Sequence, residues 1–317
     1  METYLALDIG GTSMRAARFA AGEYTPQETR KVPTHEPRRT PQEIMYALIE
    51  SLWPANDTVR VIAAALPGPV DWQTQTLLTA PNIPQWQHLP LSHLLTERFG
   101  VPAAIDNDAN LAALGEWRFG AGQGHHHMLY LTVSTGIGGG VILEDRLLHG
   151  AHGLAGELGH LTIQPNGPKC SCGQPGHLEA VASGTAIAHK VRTALENGAP
   201  SSLSLNPPPS TKEIAQAALA GDPLAQEVLA EAGYNIGVAL ADYLHIFNPT
   251  CLVIGGGVSQ SGALLLTPLR QALKAHIMSP AYLQDLTVSL AALGDNAGLM
   301  GALALAEQTA PTREVSR

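Results

Sequence analysis

Cysteine is scarce: Cys170, Cys172 and Cys251 are all that 317 residues contain. Three thiols cannot build a disulfide framework, and two of them stand one residue apart, a spacing that suits a metal better than a bridge. Positive charge is thin as well. Lys and Arg number 18 against 27 Asp and Glu, a net charge of −9, and no basic helix or Lys/Arg stripe offsets it. Such a chain repels a phosphate backbone, so nucleic acid is not expected as a partner. Long apolar runs are missing too, none reaching the ~18 residues of a membrane span. The opening METYLALDIGG has an acidic second residue and no cationic segment ahead of a long apolar stretch, so no signal peptide is expected. A cytoplasmic protein with no membrane partner is the expectation. Two nucleotide motifs are also absent. No Gly-Lys pair occurs, which excludes the Walker loop, and Val141 breaks the Rossmann glycine pattern in GIGGGV.

What is present is an ordinary globular composition, 45% hydrophobic and 14% charged, which argues against disorder. The length points to roughly two domains. Apolar β-runs at 4–9 and 14–20 flank Gly10, Gly11 and Thr12. Thr40 and Pro41 mark a helix start over 41–53, with Ile44, Leu48 and Leu52 on one buried face. VIAAALPGPVD reads as a buried strand stopped by Pro67 and Pro69. ALGEWRFG reads as a helix leaving a strand end, and HMLYLTVSTGIGGGVILEDRLLHG as two β-runs hinged on glycines. Residues 193–211 read as an exposed Pro/Ser-rich loop, 212–247 as largely helical, CLVIGGGVS as a buried strand meeting a third Gly turn, and 296–308 as an amphipathic helix. Strands mixed with helices throughout predict an α/β protein, and the repeat of strand, Gly turn and strand predicts two related halves.

Gly-rich turns after a strand expose backbone N–H groups and let a ligand come close, which is how phosphates are cradled. One such turn says little, because its glycines commonly serve only the turn; here there are three. Asp8 and Thr12 add a carboxylate and a hydroxyl to the first. That carboxylate either meets Mg²⁺ beside the phosphates or only closes an Asx-turn. DND ahead of ALGEW has two readings as well: a helix cap, or a carboxylate that takes a proton from a substrate hydroxyl.

DIGGT at 8–12, LPGPVD at 66–71, DNDANLAALGE at 106–116, STGIGGG at 134–140, GELGH at 156–160, CSCGQPGHLE at 170–179 and NPTCLVIGGGVS at 248–259 follow one another in a familiar order. From Leu7 to the final GDNAGLMGALALA the chain resembles the ROK family of sugar kinases and repressors. The resemblance implies an α/β, two-domain, actin-like ATPase fold of the ribonuclease H-like type, with ATP and sugar in an interdomain cleft. A small N-terminal α/β domain would hold 1–115 plus 296–317, and a large C-terminal one, 116–295, would carry a zinc loop. DIGGT, with Asp8, Gly10, Gly11 and Thr12, is similar to the first phosphate loop; STGIGGG, with Thr135, Gly136 and Gly138, to the second; IGGGVS, with Gly255, Gly256 and Gly257, to the adenosine loop.

The implied activity is ATP-dependent phosphorylation of a hexose, glucose at O6 first, with Asp108 as general base and Mg²⁺ on the phosphates. N-acetylmannosamine, N-acetylglucosamine and fructose are the alternative substrates. A sugar-responsive regulator is the less favoured reading, because those relatives carry a helix-turn-helix domain for which DIGGT at residue 8 is expected to leave no room. Asn107, Asp108, Glu157, His160, Glu179 and the backbone of Gly68 resemble the sugar ligands, with Asn82 as a further candidate. Carboxylates and amides suit a polyol because each pairs with hydroxyls that would otherwise be buried unsatisfied. A homodimer or homotetramer is implied as well.

The chain departs from the family in its zinc pattern, a His, a Cys-x-Cys and a further Cys. The corresponding residues are His160, Cys170, Cys172 and His177, so an imidazole replaces the last thiolate. Cys₂His₂ makes a closed, structural tetrahedral site; without zinc the same residues would be two free thiols near unrelated histidines. Ser13 and Ser134 stand where many members carry Lys and Gly.

Overall fold

The computed structural model describes residues 1–311, whose contacts divide into two compact units. The first holds Met1–Gly124, Leu147–Gly156 and the described chain from Ala292 to Pro311; the second holds His125–Arg146 and Glu157–Ala291. The expected limits, 1–115 plus 296–317 and 116–295, differ from this division. A helix over Asp108–Phe119 runs through 115 and 116, so the change of unit falls after Gly124. Residues 312–317 lie outside the described residues.

The first unit runs β1 (Glu2–Ile9), β2 (Ser13–Ala20), β3 (Glu28–Pro33), α1 (Pro41–Leu52), β4 (Thr58–Leu66), the short strands β5 (Val70–Asp71), β6 (Thr76–Thr79) and β7 (Gln87–Leu89), α2 (Leu91–Phe99), β8 (Ala103–Asn107) and α3 (Asp108–Phe119). There follow β9 (Met128–Val133), β10 (Ile137–Leu143), β11 (Arg146–Leu147), α4 (Leu178–Ala182), α5 (Gly184–Glu196), α6 (Thr211–Leu219), α7 (Pro223–Phe247), β12 (Cys251–Gly255), α8 (Ala263–His276) and β13 (Thr287–Leu290). The last helix, α9 (Ala297–Thr309), belongs to the first unit.

The two main sheets have the same plan. One is ordered β3-β2-β1-β4-β8 and the other β11-β10-β9-β12-β13. In each, the first strand pairs antiparallel with the second across a Gly turn and parallel with the fourth, which pairs parallel with the fifth. The repeat expected from the Gly turns is therefore a repeat of whole sheets.

Alternation along the strands builds the first core. Leu5, Leu7 and Ile9 point into one cluster, with Ile44, Leu48 and Leu52 of α1. Ala6, with Val61, Ala63 and Ala65 of β4, faces the other, where Leu111 and Leu114 of α3 meet Leu299 and Leu303 of α9. Each buried Leu or Ile contributes roughly 1.5–3 kcal/mol. Helix α1 starts where expected, through a capping box: Thr40 Oγ1 accepts from Glu43 N at 3.2 Å and the Glu43 carboxylate accepts from Thr40 N at 2.7 Å.

Two expectations change. Helix α9 is not amphipathic but buried almost all round, because it packs against both β1 and α3. Its approach is fixed by Glu116, a fully buried carboxylate that accepts from Ala121 N, Ala292 N and Leu293 N at 2.9, 3.0 and 2.7 Å. The stretch 193–211 is also less of a loop than its composition implies. Helix α5 continues to Glu196, and Asp222, the N-cap of α7, gathers the loop by accepting from Ser201 Oγ, Ser202 N and Ser202 Oγ at 2.8, 2.6 and 2.9 Å. Among the described residues no helix is long and apolar enough to cross a membrane.

Candidate active site

In the first unit, Asp8 lies directly across the β1–β2 ladder from Arg15, and the two side chains form an ion pair at 2.7 Å. Asp8 thus joins a cross-strand charge pair rather than an Asx-turn. The turn beyond it is drawn tight. Gly10 N donates to Ser13 O at 3.0 Å, Thr34 Oγ1 donates to Gly10 O at 2.6 Å, and Thr34 N donates to Thr12 O at 3.0 Å. Asn82 presses on this turn, since a Cβ on Gly11 would stand 2.3 Å from the Asn82 Cβ. Only glycine admits that approach.

At the end of β8, Asn107 caps α3: its Oδ1 accepts from Ala109 N at 2.9 Å and Asn110 N at 3.2 Å, and its Nδ2 donates to Gly68 O at 3.0 Å. Asp108 is the first helical residue. Its carboxylate is exposed and accepts from Ala109 N at 2.8 Å. The cap is therefore Asn107, which leaves the Asp108 carboxylate open to the second reading of DND.

In the second unit, the β9–β10 hairpin closes with Ser134 N donating to Gly136 O at 2.9 Å. Gly184 N, at the start of α5, donates to Ser134 O at 2.7 Å, and Thr185 Oγ1 donates to Thr135 O at 2.8 Å. Glu179 mirrors Asn82: a Cβ on Gly136 would fall 2.5 Å from its Oε2. That oxygen accepts from Ile137 N at 3.1 Å and the other from Ser171 Oγ at 2.7 Å. In both units, then, the hairpin turn is glycine where a candidate sugar ligand crowds it. A cavity of about 810 Å³ opens beside the second hairpin, lined by Thr135, Thr185, Thr211, Gly257, Gln260 and Ser261 among others, a size suited to a small-molecule ligand. Gly255 ends β12, and Gly256 and Gly257 turn the chain toward this cavity. The Ser261 hydroxyl is buried with no hydrogen-bond partner.

His160 and His177 stand with Cys170 and Cys172 in one cluster, their ligand atoms all within 4.8 Å of one another. Nδ1 of His160 lies 3.3 Å from Nδ1 of His177 and 3.6 Å from Cys170 Sγ, and Cys172 Sγ lies 3.3 Å from His177 Nδ1. Tetrahedral zinc with ordinary bond lengths sets N–N edges near ~3.4 Å and S–N edges near ~3.6 Å. The residues fit the metal in kind and spacing, His177 included. Burial pushes the Cys170 thiol up, and a bound cation reverses that by taking the thiolate. Glu157 is exposed, 4.0 Å from His160 Nε2 at its carboxylate. Between them, Leu158 O accepts from the Tyr243 hydroxyl. Burial, with the charge of Asp242, pushes Tyr243 above the usual phenol range, so it stays a donor.

A model of the ROK family matches residues 4–309. The chain belongs to the ROK family. Within it, the chain is 34% identical over 311 residues to a glucokinase of Thermotoga maritima, covering 96% of this chain and 97% of that protein. A Streptomyces griseus ROK glucokinase solved with glucose and AMPPNP matches at 35% identity and TM-score 0.80, over 96% of this chain and 99% of that one. A ROK-family transcriptional regulator matches at 31% identity and TM-score 0.88, over 97% of this chain and 78% of that one. The two mixed sheets flanked by helices are those of the ROK and actin-fold kinase architecture. Sequence reasoning missed Arg15, Ser171 and Ser261. Arg15 was the legible one, since a hairpin turning at 10–12 sets residue 15 opposite residue 8; the other two are exposed to view only by folding.

Proposed function

We propose that this ROK protein is a glucokinase-type enzyme that transfers the γ-phosphoryl group of ATP to glucose, at O6. The observation that carries this reading is its likeness, over nearly the whole chain, to a glucokinase solved with glucose and an ATP analogue. In this reading Asp108 is the general base. A sugar hydroxyl is a weak nucleophile at neutral pH, and a carboxylate beside it takes the proton as the bond to phosphorus forms. Gly68, Asn107, Glu157, His160 and Glu179 are the residues that would bind sugar hydroxyls.

Nucleotide binding falls to the turns. Asp8, Gly10, Gly11 and Thr12 form one phosphate loop, Thr135, Gly136 and Gly138 the other, and Gly255, Gly256 and Gly257 the adenosine loop, of which Gly257 lines the cavity. Mg²⁺ bound to ATP as part of that substrate would neutralise phosphate charge. One Asp8 oxygen is already taken by Arg15, which suits an indirect role for that carboxylate toward the cation. His160, Cys170, Cys172 and His177 would hold a structural zinc whose part is to cross-link the 160–177 loop. The common strand order of the two sheets supports the ribonuclease H-like description, with the two units as its two domains. A homodimer or homotetramer, cytoplasmic and without nucleic acid, completes the reading.

The TM-score of 0.88 to a regulator favours a second reading, sugar-responsive binding without catalysis. One experiment separates the two. Asp108→Asn should lower kcat with glucose by about 10²–10⁴-fold while calorimetry shows glucose still bound. Wild-type protein that binds glucose yet turns over no ATP would give the regulator reading the advantage, and a fully active Asp108→Asn variant would remove Asp108 from the mechanism.

A further inference from the structure

The segment Leu147–Gly156 belongs to the first unit although the chain on either side of it belongs to the second. One of its side chains reaches the buried acid behind the candidate base. His149 Nε2 lies 2.6 Å from Asp106 Oδ2, and Asp106 is 3% exposed. The other oxygen, Asp106 Oδ1, accepts from Asn107 N at 2.7 Å and from Asn110 Nδ2 at 3.0 Å. The imidazole lies against the Trp72 indole, centroids 5.2 Å apart and planes at 20°, and Trp72 Nε1 donates to Gly150 O at 3.3 Å. Trp72 therefore grips the segment twice and sets the imidazole plane.

We propose that His149 is a positioning residue for phosphoryl transfer: held against Trp72, it donates through Nε2 to Asp106 and so fixes the Asn107–Asp108 turn that presents the base. This rests on Asp108 being that base. The route is short and made of hydrogen bonds. Asp106 holds the Asn107 amide; Asn107 in turn caps α3 and donates to Gly68 O. A buried carboxylate that loses its partner on one side turns toward another donor or draws in water, and the turn moves with it. Displacement of a reacting group by ~1 Å costs on the order of 10²-fold in rate. The plainer alternative is that His149 only stitches its segment to the unit. It then supports stability and leaves kcat alone.

The test compares kcat, the KM values for glucose and ATP, and melting temperature in wild type, His149→Ala, His149→Gln, Asp106→Asn and the His149→Ala/Asp106→Asn double variant. A Gln side chain places an amide N–H close to where the imidazole Nε2–H stands, so it keeps the donor and loses the ring. The expected result is a kcat lowered about tenfold or more in His149→Ala, an ATP KM within about twofold of wild type, and recovery of most of kcat in His149→Gln. The double variant should be no slower than the worse single one, because the two residues act as a unit. A His149→Ala enzyme with wild-type kcat, or a double variant in which the two losses multiply, overturns the proposal. Should His149→Ala fail to fold, His149→Asn, whose amide is too short to reach Asp106, takes its place with the same expectations. Asp108→Asn is measured alongside. An active Asp108→Asn enzyme overturns the assignment of the base, whereas an inactive one beside an unaffected His149→Ala overturns only the role of His149.

Discussion

Ser261 shows how much one atom decides. Its hydroxyl is buried against the cavity with no partner, and an unpaired buried hydroxyl costs about 1–3 kcal/mol. A nucleotide that pairs with it removes that penalty. Ser261→Ala is therefore expected to keep or slightly raise the melting temperature of the free protein. The same change should raise the KM for ATP by about fivefold, an effect of ~1 kcal/mol, with the KM for glucose unchanged. Steady-state kinetics and thermal melting check both halves, and an unaltered KM for ATP would place the nucleotide elsewhere. Glu179 is a second case. Its two oxygens are shared between Ile137 of the glycine hairpin and Ser171 of the cysteine loop, so its position reports on both.

The 160–177 loop carries a candidate metal cluster. Two imidazole nitrogens and two sulfurs are gathered there, with Cys170 and His177 buried. Elemental analysis of purified protein should find about one zinc per chain. His177→Ala should lose it and melt lower, while His177→Cys, which restores the commoner thiolate, should keep it. Equal zinc content in wild type and His177→Ala would remove His177 from the site.

A second element-scale case is the Asp222 cap of α7. Burial opposes its charge, but N–H groups of Ala225 and Ser202 and hydroxyls of Ser201 and Ser202 outweigh it, and its pKa is pulled down from 3.8 to about 2. A folded-state pKa below the unfolded one contributes stability that is present above pH ~4 and is lost as pH falls toward ~2, on the order of 2 kcal/mol. Asp222→Ala should thus be destabilised at pH 7, and its deficit against wild type should shrink between pH 4 and pH 2. Denaturant midpoints across that range measure it; a deficit independent of pH would mean that packing, not the ionised cap, was lost.

At the scale of the molecule, the doubled sheet plan is the main fact. Each unit carries one antiparallel Gly hairpin on the strand that begins its sheet, so each sets a Gly turn at the same place in the same topology. Substrate choice also belongs at this scale, since it depends on side chains from many elements. A coupled assay over glucose, mannose, fructose, N-acetylglucosamine and N-acetylmannosamine should give the largest kcat/KM for glucose. A preference for either N-acetyl sugar would keep the kinase reading and replace its substrate.

What the sequence determined by itself is local and periodic. The apolar run of β1, the buried strand β4, the Thr40 cap and the Gly turns depend on residues near in sequence, and each appears where it was read. The hairpin geometry even set Arg15 opposite Asp8. Tertiary structure alone decided the long-range pairings: Glu116 with Ala292 and Leu293, His149 with Asp106, Glu179 with Ile137, and the burial of α9 on both sides. It also ended the first unit after Gly124, where the family resemblance implied a limit at 115. The reason is physical. Periodicity records which face of an element is buried, but carries nothing about which distant element covers it; that depends on how whole sheets and helices pack, and shows only once they do.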